Sequence, residues 1–213
     1  MSTTSALRIV SLVPSITELL YDLGLEEQVV GITKFCVHPS AWFQSKIRIG
    51  GTKQIHIETI RSLKPTLIIA SKEENIKEQV ESLADFTEIL LTDVVDYASA
   101  LEMIEAVGKA TETLNKAIKI RSRIEDEFRQ LDTFLQQQQY PSLPCAYLIW
   151  KDPYMVAGGD TFIHSMLQKM NCVNTYGNQL RYPGIHFQDP EWLAAKIVFL
   201  SSEPYPFKEK HIG

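Results

Sequence analysis

The sequence has neither a dense cluster of lysine and arginine nor a long apolar run. Its 213 residues include 21 basic and 26 acidic side chains, giving a formal net charge of −5. Because a nucleic-acid-binding face needs clustered positive charge to neutralise phosphates, that class of function is excluded. A membrane-spanning helix requires about 18 or more consecutive apolar residues, and no such run occurs.

The first residues lack the pattern of a secretory signal. Met1 to Arg8 lead directly into a strand-like segment, without a basic region followed by an apolar region. From this pattern we expect either a cytoplasmic protein or an export segment that the sequence does not include.

Cysteine is scarce, and the common catalytic motifs are missing. The three cysteines, Cys36, Cys145 and Cys172, are widely spaced and include no C-x-x-C pair, so neither a disulfide framework nor a zinc site is predicted. There is no G-x-S-x-G or H-E-x-x-H motif and no tight cluster of acidic and histidine residues. We therefore predict no catalytic residues and no direct metal ligands. The scattered histidines could still meet in the folded chain and form a metal site. This stays an alternative, although their spacing in the sequence does not indicate one.

Short β-branched runs alternate with helical patterns over the first part of the chain. This alternation predicts a mostly parallel sheet with helices on its faces. Ser15 and Glu18 have the spacing of a capping box at the start of the first helix, although Thr17 can compete as the cap. The predicted strands are 8–12, 28–33, 66–70 and 88–92, and the predicted helices are 16–23, 57–63 and 75–83.

From Tyr97 to Gln139 there is no proline, and Gly108 is the single glycine. Apolar residues recur at helical spacing, and a helix of about 30 residues is roughly 45 Å long, more than one small sheet can cover. We interpret this segment as one long helix that bridges two lobes, with a helical hairpin as the alternative. The predicted organisation is an N-terminal lobe at 1–96, a bridging region at 97–140 and a C-terminal lobe at 141–213.

Strand patterns resume after Pro141 and Pro144. The predicted fold class is therefore α/β, with two small lobes of mostly parallel sheet, one long bridging helix and a shortened C-terminal lobe. That lobe has about 70 residues, which is small for an independent core. Its predicted strands are 145–150, 154–157 and 196–201, and its predicted helices are 161–170 and 189–195.

Several candidate ligand-binding residues follow predicted strands, where open α/β sheets bind ligands. Backbone N–H groups at a helix start favour a polar ligand group, aromatic faces suit a flat conjugated ligand, and lysines can offset negative charge. Structural alternatives stay open: an ordinary helix start, packing of Cys36, Phe35 and Trp42 in a core, and a solvated loop at Lys72. The candidates are Ser15, Phe35, Cys36, Trp42, Thr52, Lys53, Lys72, Trp150, Tyr154, Phe162 and Tyr205.

Five segments taken together resemble a known family. They are RIVSLVPSITELLYDLG, VVGITKFCVHP, IGGTKQIHIETIRSLKPTLIIAS, WKDPYMVAGGDTFIHSMLQKMNCVNTY and DPEWLAAKIVFLSSEP. In order and spacing the chain is similar to the helical-backbone (class III) periplasmic binding proteins, and within them to the cobalamin and iron-siderophore receptors of ABC importers. The resemblance implies two lobes joined by a long helix, a cobalamin or ferric-siderophore ligand in the cleft between them, no intrinsic cofactor, no enzymatic activity and a periplasmic location.

The resemblance also implies partners, namely an ABC permease and its ATPase. Family members carry an acidic residue on each lobe that pairs with permease arginines, and these positions fall on Glu58 and Glu191 here. Such pairs set orientation and association rate more than affinity. The alternative is that both are ordinary carboxylates favoured by a helix dipole.

Two departures from the family pattern leave other functions open. The missing export pattern allows a cytoplasmic ligand-binding or sensory module that reuses the fold without a permease. The C-terminal end is shorter than the family's usual second lobe, so we expect exposed apolar surface unless a partner or a second copy covers it. A homodimer, a divergent role and an incomplete sequence are the alternatives that this departure leaves open. Neighbouring permease and ATPase genes would favour transport.

Overall fold

The computed structural model describes residues 6–211, which divide into two compact units. Unit 1 comprises the chain up to Val94 together with Leu101–Arg121, and unit 2 comprises Val95–Ala100 together with the chain from Ser122. None of the helices in the described part of the chain has both the length and the apolar character needed to cross a bilayer.

Unit 1 is built on a five-stranded sheet with the order β3-β2-β1-β4-β5, in which every pair is parallel. All of β1 and the first four residues of β4 are buried, as in strands of a sheet covered on both faces. The predicted α/β alternation is therefore confirmed, with β3 as a short strand that the sequence analysis missed. The strands are β1 (Ile9–Ser11), β2 (Val29–Ile32), β3 (Ile47–Arg48), β4 (Leu67–Ser71) and β5 (Glu88–Thr92).

The first helix of unit 1 corrects the predicted cap. α1 begins at Pro14 after Val13, so Ser15 lies inside the first turn and the capping box is wrong. Proline suits the first helical position because its φ is fixed and its missing N–H would have no helical partner. The Thr17 hydroxyl instead lies 3.0 Å from the Val13 carbonyl oxygen. The helices are α1 (Pro14–Asp22), α2 (Ser40–Ser45), α3 (Ile57–Ser62) and α4 (Lys77–Glu81).

The proline-free segment forms two helices, α5 (Tyr97–Ala110) and α6 (Leu114–Gln138). The expected long helix is present as α6, whose 25 residues extend for about 37 Å. It does not fill the whole segment, because Glu112 has a φ of 58° that α-helix cannot accommodate. Each helix contributes residues to both units. The three-part domain division stays a prediction.

Unit 2 contains a four-stranded sheet in which β6 is parallel to β8 and β9 and antiparallel to β7. Its core combines sheet residues with loop residues: Ala146, Leu148, Val156, Tyr176 and Ile185. Side chains of β9 are only partly buried: Val198 is 39% exposed and Leu200 is 37% exposed. The elements are β6 (Leu143–Trp150), β7 (Met155–Val156), α7 (Phe162–Lys169), β8 (Cys172–Asn174), α8 (Pro190–Ala194), β9 (Ile197–Leu200) and a 3₁₀ turn (Glu209–His211).

Candidate functional site

The carboxyl ends of the unit 1 strands share one edge of the sheet, because all five strands are parallel. We call the loops that follow these strands the strand-end edge of unit 1. Five candidate residues lie in these loops: Phe35 and Cys36 after β2, Thr52 and Lys53 after β3, and Lys72 after β4. A sixth candidate, Ser15, follows β1 but lies in the first turn of α1.

A buried asparagine that the sequence analysis missed ties three of these loops together. The Asn75 side chain is 8% exposed; its Nδ2 donates to the carbonyl oxygens of Leu12 at 3.3 Å and Thr52 at 3.0 Å. Its Oδ1 accepts from the Ser71 backbone N–H at 2.9 Å. Both ends of the amide are therefore used to fix the loops after β1, β3 and β4 against one another.

The loop after β3 is also held from α4. Gln79 donates through Nε2 to the Lys53 carbonyl oxygen at 3.0 Å and accepts from the Ile55 N–H at 3.1 Å. Lys53 Nζ donates to the Glu73 carbonyl oxygen at 2.9 Å. Thr52 is only 9% exposed, so this loop presents Lys53 more than Thr52 to solvent.

Paired glycines in the same loop make close contacts within the chain. Gly50 has a φ of +101°, and a Cβ there would lie 2.3 Å from the Gln54 carbonyl oxygen. A Cβ on Gly51 would lie 3.0 Å from the ring of Phe35. The close approach that these glycines allow is therefore to Gln54 and Phe35, so they need no ligand to explain them.

The three candidates around the loop after β2 have different environments. Phe35 is 50% exposed, and Lys34 Nζ lies 5.1 Å from its ring centroid. Cys36 and Trp42 are both 0% exposed, which is at odds with their prediction as ligand contacts. Cys36 Sγ lies 3.1 Å from the Thr17 hydroxyl, and α2 turns Trp42 inward, 5.4 Å from the ring of Tyr21.

The remaining two unit 1 candidates are exposed. Ser15 lies in the first turn of α1. Lys72 Nζ lies 2.7 Å from Asp93 Oδ2, with side chains 58% and 49% exposed. Such an exposed pair adds little stability, but it partly neutralises Lys72 as a counter-charge for an anionic ligand.

At the carboxyl ends of β6 and β9, unit 2 carries an aromatic cluster of Trp150, Tyr205, Phe207 and His211. Trp150 is 39% exposed, and Tyr205 packs edge-on against it at 5.6 Å. Tyr205 also contacts the rings of Phe207 at 4.7 Å and His211 at 5.5 Å. Phe207 and His211 were missed because they follow the last predicted strand without a recognisable pattern.

His211 holds the C-terminal segment in place within this cluster. Its Nδ1 accepts from the Lys208 backbone N–H at 3.0 Å. Removal from solvent, together with the positive charges of Lys151, Lys210 and Lys208, lowers the pKa of His211. A lowered pKa favours the neutral imidazole, the form in which Nδ1 can accept a hydrogen bond.

The other two unit 2 candidates are placed differently from Trp150. Tyr154 packs against the core of unit 2, with its ring 4.9 Å from that of Phe187. Phe162 begins α7 and is 38% exposed, next to Thr161, whose hydroxyl accepts from the His164 N–H at 3.2 Å. Phe162 thus has open surface, whereas Tyr154 has a packing role.

The Gly158-Gly159 pair packs against the chain's own backbone. Gly158 N–H donates to the Arg181 carbonyl oxygen at 2.8 Å, and Gly159 N–H donates to that of Gln179 at 2.7 Å. A Cβ on Gly159 would lie 2.0 Å from the Gly177 carbonyl oxygen. Glycine is required there by this internal contact.

The two predicted docking carboxylates lie in the first turns of short helices. The Glu58 side chain in α3 is 87% exposed, with Arg61 Nε 3.8 Å away. Glu191 lies in α8 and is partly exposed. Its negative charge and that of Asp189 add to burial in raising the pKa of Tyr176 to about 12. A docking role for either carboxylate stays a prediction.

Within 6–211, no group of three or more histidine, cysteine, aspartate or glutamate side chains has an arrangement that could hold a metal ion.

Known proteins resemble the chain in both sequence and structure. YvrC, an uncharacterized ABC transporter substrate-binding lipoprotein of Bacillus subtilis (strain 168), is 26% identical over 178 residues, which cover 81% of this chain and 56% of that protein. The chain thus spans little more than half the length of this relative.

Solved structures match the fold. The periplasmic vitamin B12 binding protein BtuF of Vibrio cholerae has a TM-score of 0.79 at 21% identity, covering 91% of this chain and 76% of that one. The periplasmic heme binding protein HutB of Vibrio cholerae has a TM-score of 0.77 at 21% identity, covering 92% and 77%. At this identity the similarity establishes the fold and confirms the predicted fold class.

Family membership follows from the sequence match. The family described as periplasmic binding protein matches residues 9–197, which is most of the chain. It is a family of binding proteins and not of enzymes. The α/β units, the long helix and this match together show that the chain belongs to the periplasmic binding protein family.

Proposed function

We propose that the chain is the substrate-binding part of an ABC importer and that it binds a cobalamin-type or ferric-siderophore complex. Family membership supports a binding role, and the Bacillus subtilis relative is named as an ABC transporter substrate-binding lipoprotein. The Vibrio cholerae structures are named for vitamin B12 and heme binding. Heme therefore joins cobalamin and ferric siderophores as a ligand to test.

The observation that carries this proposal is an exposed aromatic ring next to a strand end on each unit, with a lysine adjacent to it in the sequence. Phe35 is 50% exposed beside Lys34, and Trp150 is 39% exposed and precedes Lys151 in the chain. Aromatic faces favour flat or conjugated ligands, and a neighbouring cation favours an acidic group on the same ligand. Ser15, Lys53, Phe162 and Tyr205 are the further contacts that this proposal keeps.

An importer also implies a location and partners. We place the protein outside the cytoplasmic membrane, where it hands its ligand to a permease that an ATPase drives. Glu58 and Glu191 are the proposed permease contacts. A homodimer has no support from the comparisons.

A titration tests the proposal directly. Purified protein is titrated with cyanocobalamin, a ferric siderophore and hemin, with binding followed by tryptophan fluorescence and confirmed by calorimetry. We expect saturable binding of one of them at micromolar affinity or tighter, about −8 kcal/mol or better. Absence of saturable binding to all three would contradict the proposed ligand class.

Variants locate the binding surface. Trp150→Ala and Phe35→Ala should each weaken binding about tenfold or more, because each removes an aromatic contact. Tyr140→Ala is the matched control, since Tyr140 is an exposed aromatic residue (55%) between α6 and the start of β6, away from the carboxyl ends of the strands. Equal losses in all three variants, or no loss in the first two, would rule out the proposed surface.

A further inference from the structure

Two of the three cysteines lie on neighbouring strands of unit 2. In the parallel pairing of β6 with β8, Leu143 lies opposite Cys172 and Cys145 lies opposite Asn174. Side chains along a strand alternate between the two faces of the sheet. Cys145 and Cys172 therefore lie on the same face, one two-residue step apart along adjacent strands.

The two thiols differ in exposure and influence each other. Cys145 is 0% exposed, whereas Cys172 is partly exposed. The pKa of Cys145 is raised to about 11. Burial is the largest cause of this rise, and the nearby Cys172 thiol contributes the rest. One thiol of the pair is therefore accessible to solvent, and the other is buried in the core.

We propose that Cys145 and Cys172 form a disulfide when the protein meets a disulfide oxidant. The Cys172 thiolate attacks the oxidant, forming a mixed disulfide and releasing one thiol. Cys145 then loses its proton and attacks the Cys172 sulfur, releasing the second thiol. Two cysteines are oxidised and the oxidant's disulfide is reduced to two thiols. Cys172 reacts first because an oxidant can reach it.

Sheet geometry allows this bond with a small adjustment. In a flat parallel ladder, a lateral spacing of about 4.8 Å and a two-residue step of about 6.6 Å place the two Cα atoms about 8 Å apart. A disulfide usually needs them within about 7 Å. The bond therefore requires the two Cα atoms to approach each other by about 1 Å.

The bond would close a segment that carries proposed ligand contacts. The chain from 145 to 172 includes β7, α7, Trp150 and Phe162. A cross-link restricts the unfolded form of this segment, so the oxidised protein should melt on the order of 5–10 °C higher than the reduced one. This inference does not depend on the identity of the ligand.

Incubation of the full chain with oxidised glutathione, followed by non-reducing peptide mass mapping, tests it. We expect the peptides containing Cys145 and Cys172 to be joined, lighter by two hydrogen atoms, with a higher melting temperature that dithiothreitol reverses. Cys36→Ser is the matched control and should keep the link, because Cys36 is buried in unit 1. In Cys145→Ser, Cys172 should instead remain a glutathione adduct.

Three results would overturn the proposal. The first is that both thiols of the unmodified chain stay reduced. The second is that Cys172 carries glutathione and never passes the bond to Cys145. The third is that the link joins either cysteine to Cys36.

Discussion

The amide of a single residue, Asn75, hydrogen-bonds to backbone groups of Leu12, Thr52 and Ser71, which lie at or after the ends of three strands. Asn75→Ala removes the hydrogen-bond partner of these backbone groups at a buried site. The free energy of unfolding should therefore fall by about 1–3 kcal/mol. Asn75→Asp should be no better, because its second oxygen would face the Leu12 and Thr52 carbonyl oxygens. Urea unfolding measures both effects.

If Asn75 positions the loops that bind the ligand, replacing it should also change ligand affinity. Val80→Ala is a suitable control, because Val80 is buried in α4 at 6% exposure and removing its methyl groups leaves the loop network intact. At a temperature where both variants are folded, Asn75→Ala should weaken ligand binding and Val80→Ala should not. Equal affinity in the two variants would reduce Asn75 to a purely structural residue.

Three candidates that follow β2 closely in the chain differ in exposure in a way that the sequence does not predict. Phe35, Cys36 and Trp42 all follow a predicted strand, and all three were candidate ligand contacts. The structure exposes Phe35 and buries the other two. The difference arises from α2, a six-residue helix, and from the contacts of Cys36 with the Thr17 and Thr33 hydroxyls. The contact with Thr17 joins residues 19 positions apart, and such a contact leaves no local pattern in the sequence.

At the scale of elements, the parts of the fold with strong periodicity were predictable. β1 and β4 are buried along nearly their whole length, so their apolar runs are continuous. The elements that were missed, β3, α2 and β8, are short and depend on their neighbours. β8, for example, has three residues and pairs only with the first part of β6.

The contact between α5 and α6 within unit 1 explains the single glycine of that segment. A Cβ on Gly108 would lie 2.4 Å from the Cβ of Ala117. Gly108→Ala should therefore destabilise the protein by about 1–3 kcal/mol through overpacking. This loss is expected even though alanine stabilises a helix by about 1 kcal/mol relative to glycine. Thermal or urea unfolding measures the difference.

A second substitution separates overpacking from other effects. Ala117→Gly removes the clashing methyl group, so the double variant should be more stable than the sum of the two single changes predicts. Additive losses would show that the two helices are not in this contact.

At the scale of the whole molecule, family membership and the two-unit fold follow from patterns spread along the chain, whereas the ligand does not. The alternation of strands and helices and the matched segments are long enough to be specific. The proposed ligand contacts are a few exposed side chains, and Phe35 and Trp150 would suit many conjugated molecules. Binding measurements are therefore what identify the ligand.

Permease docking is the prediction that needs the whole molecule. Glu58→Gln together with Glu191→Gln should slow association with a reconstituted importer of the matching ligand type by about tenfold or more at low salt, because charge complementarity mainly sets the association rate. Raising the salt concentration should shrink the difference, since exposed charges are screened. ATPase stimulation against protein concentration measures the effect, and ligand affinity should stay unchanged.

Glu78→Gln is the matched control, as Glu78 is an exposed carboxylate in the first turn of α4. A loss of equal size in the control would mean that overall charge, and not these two positions, guides docking.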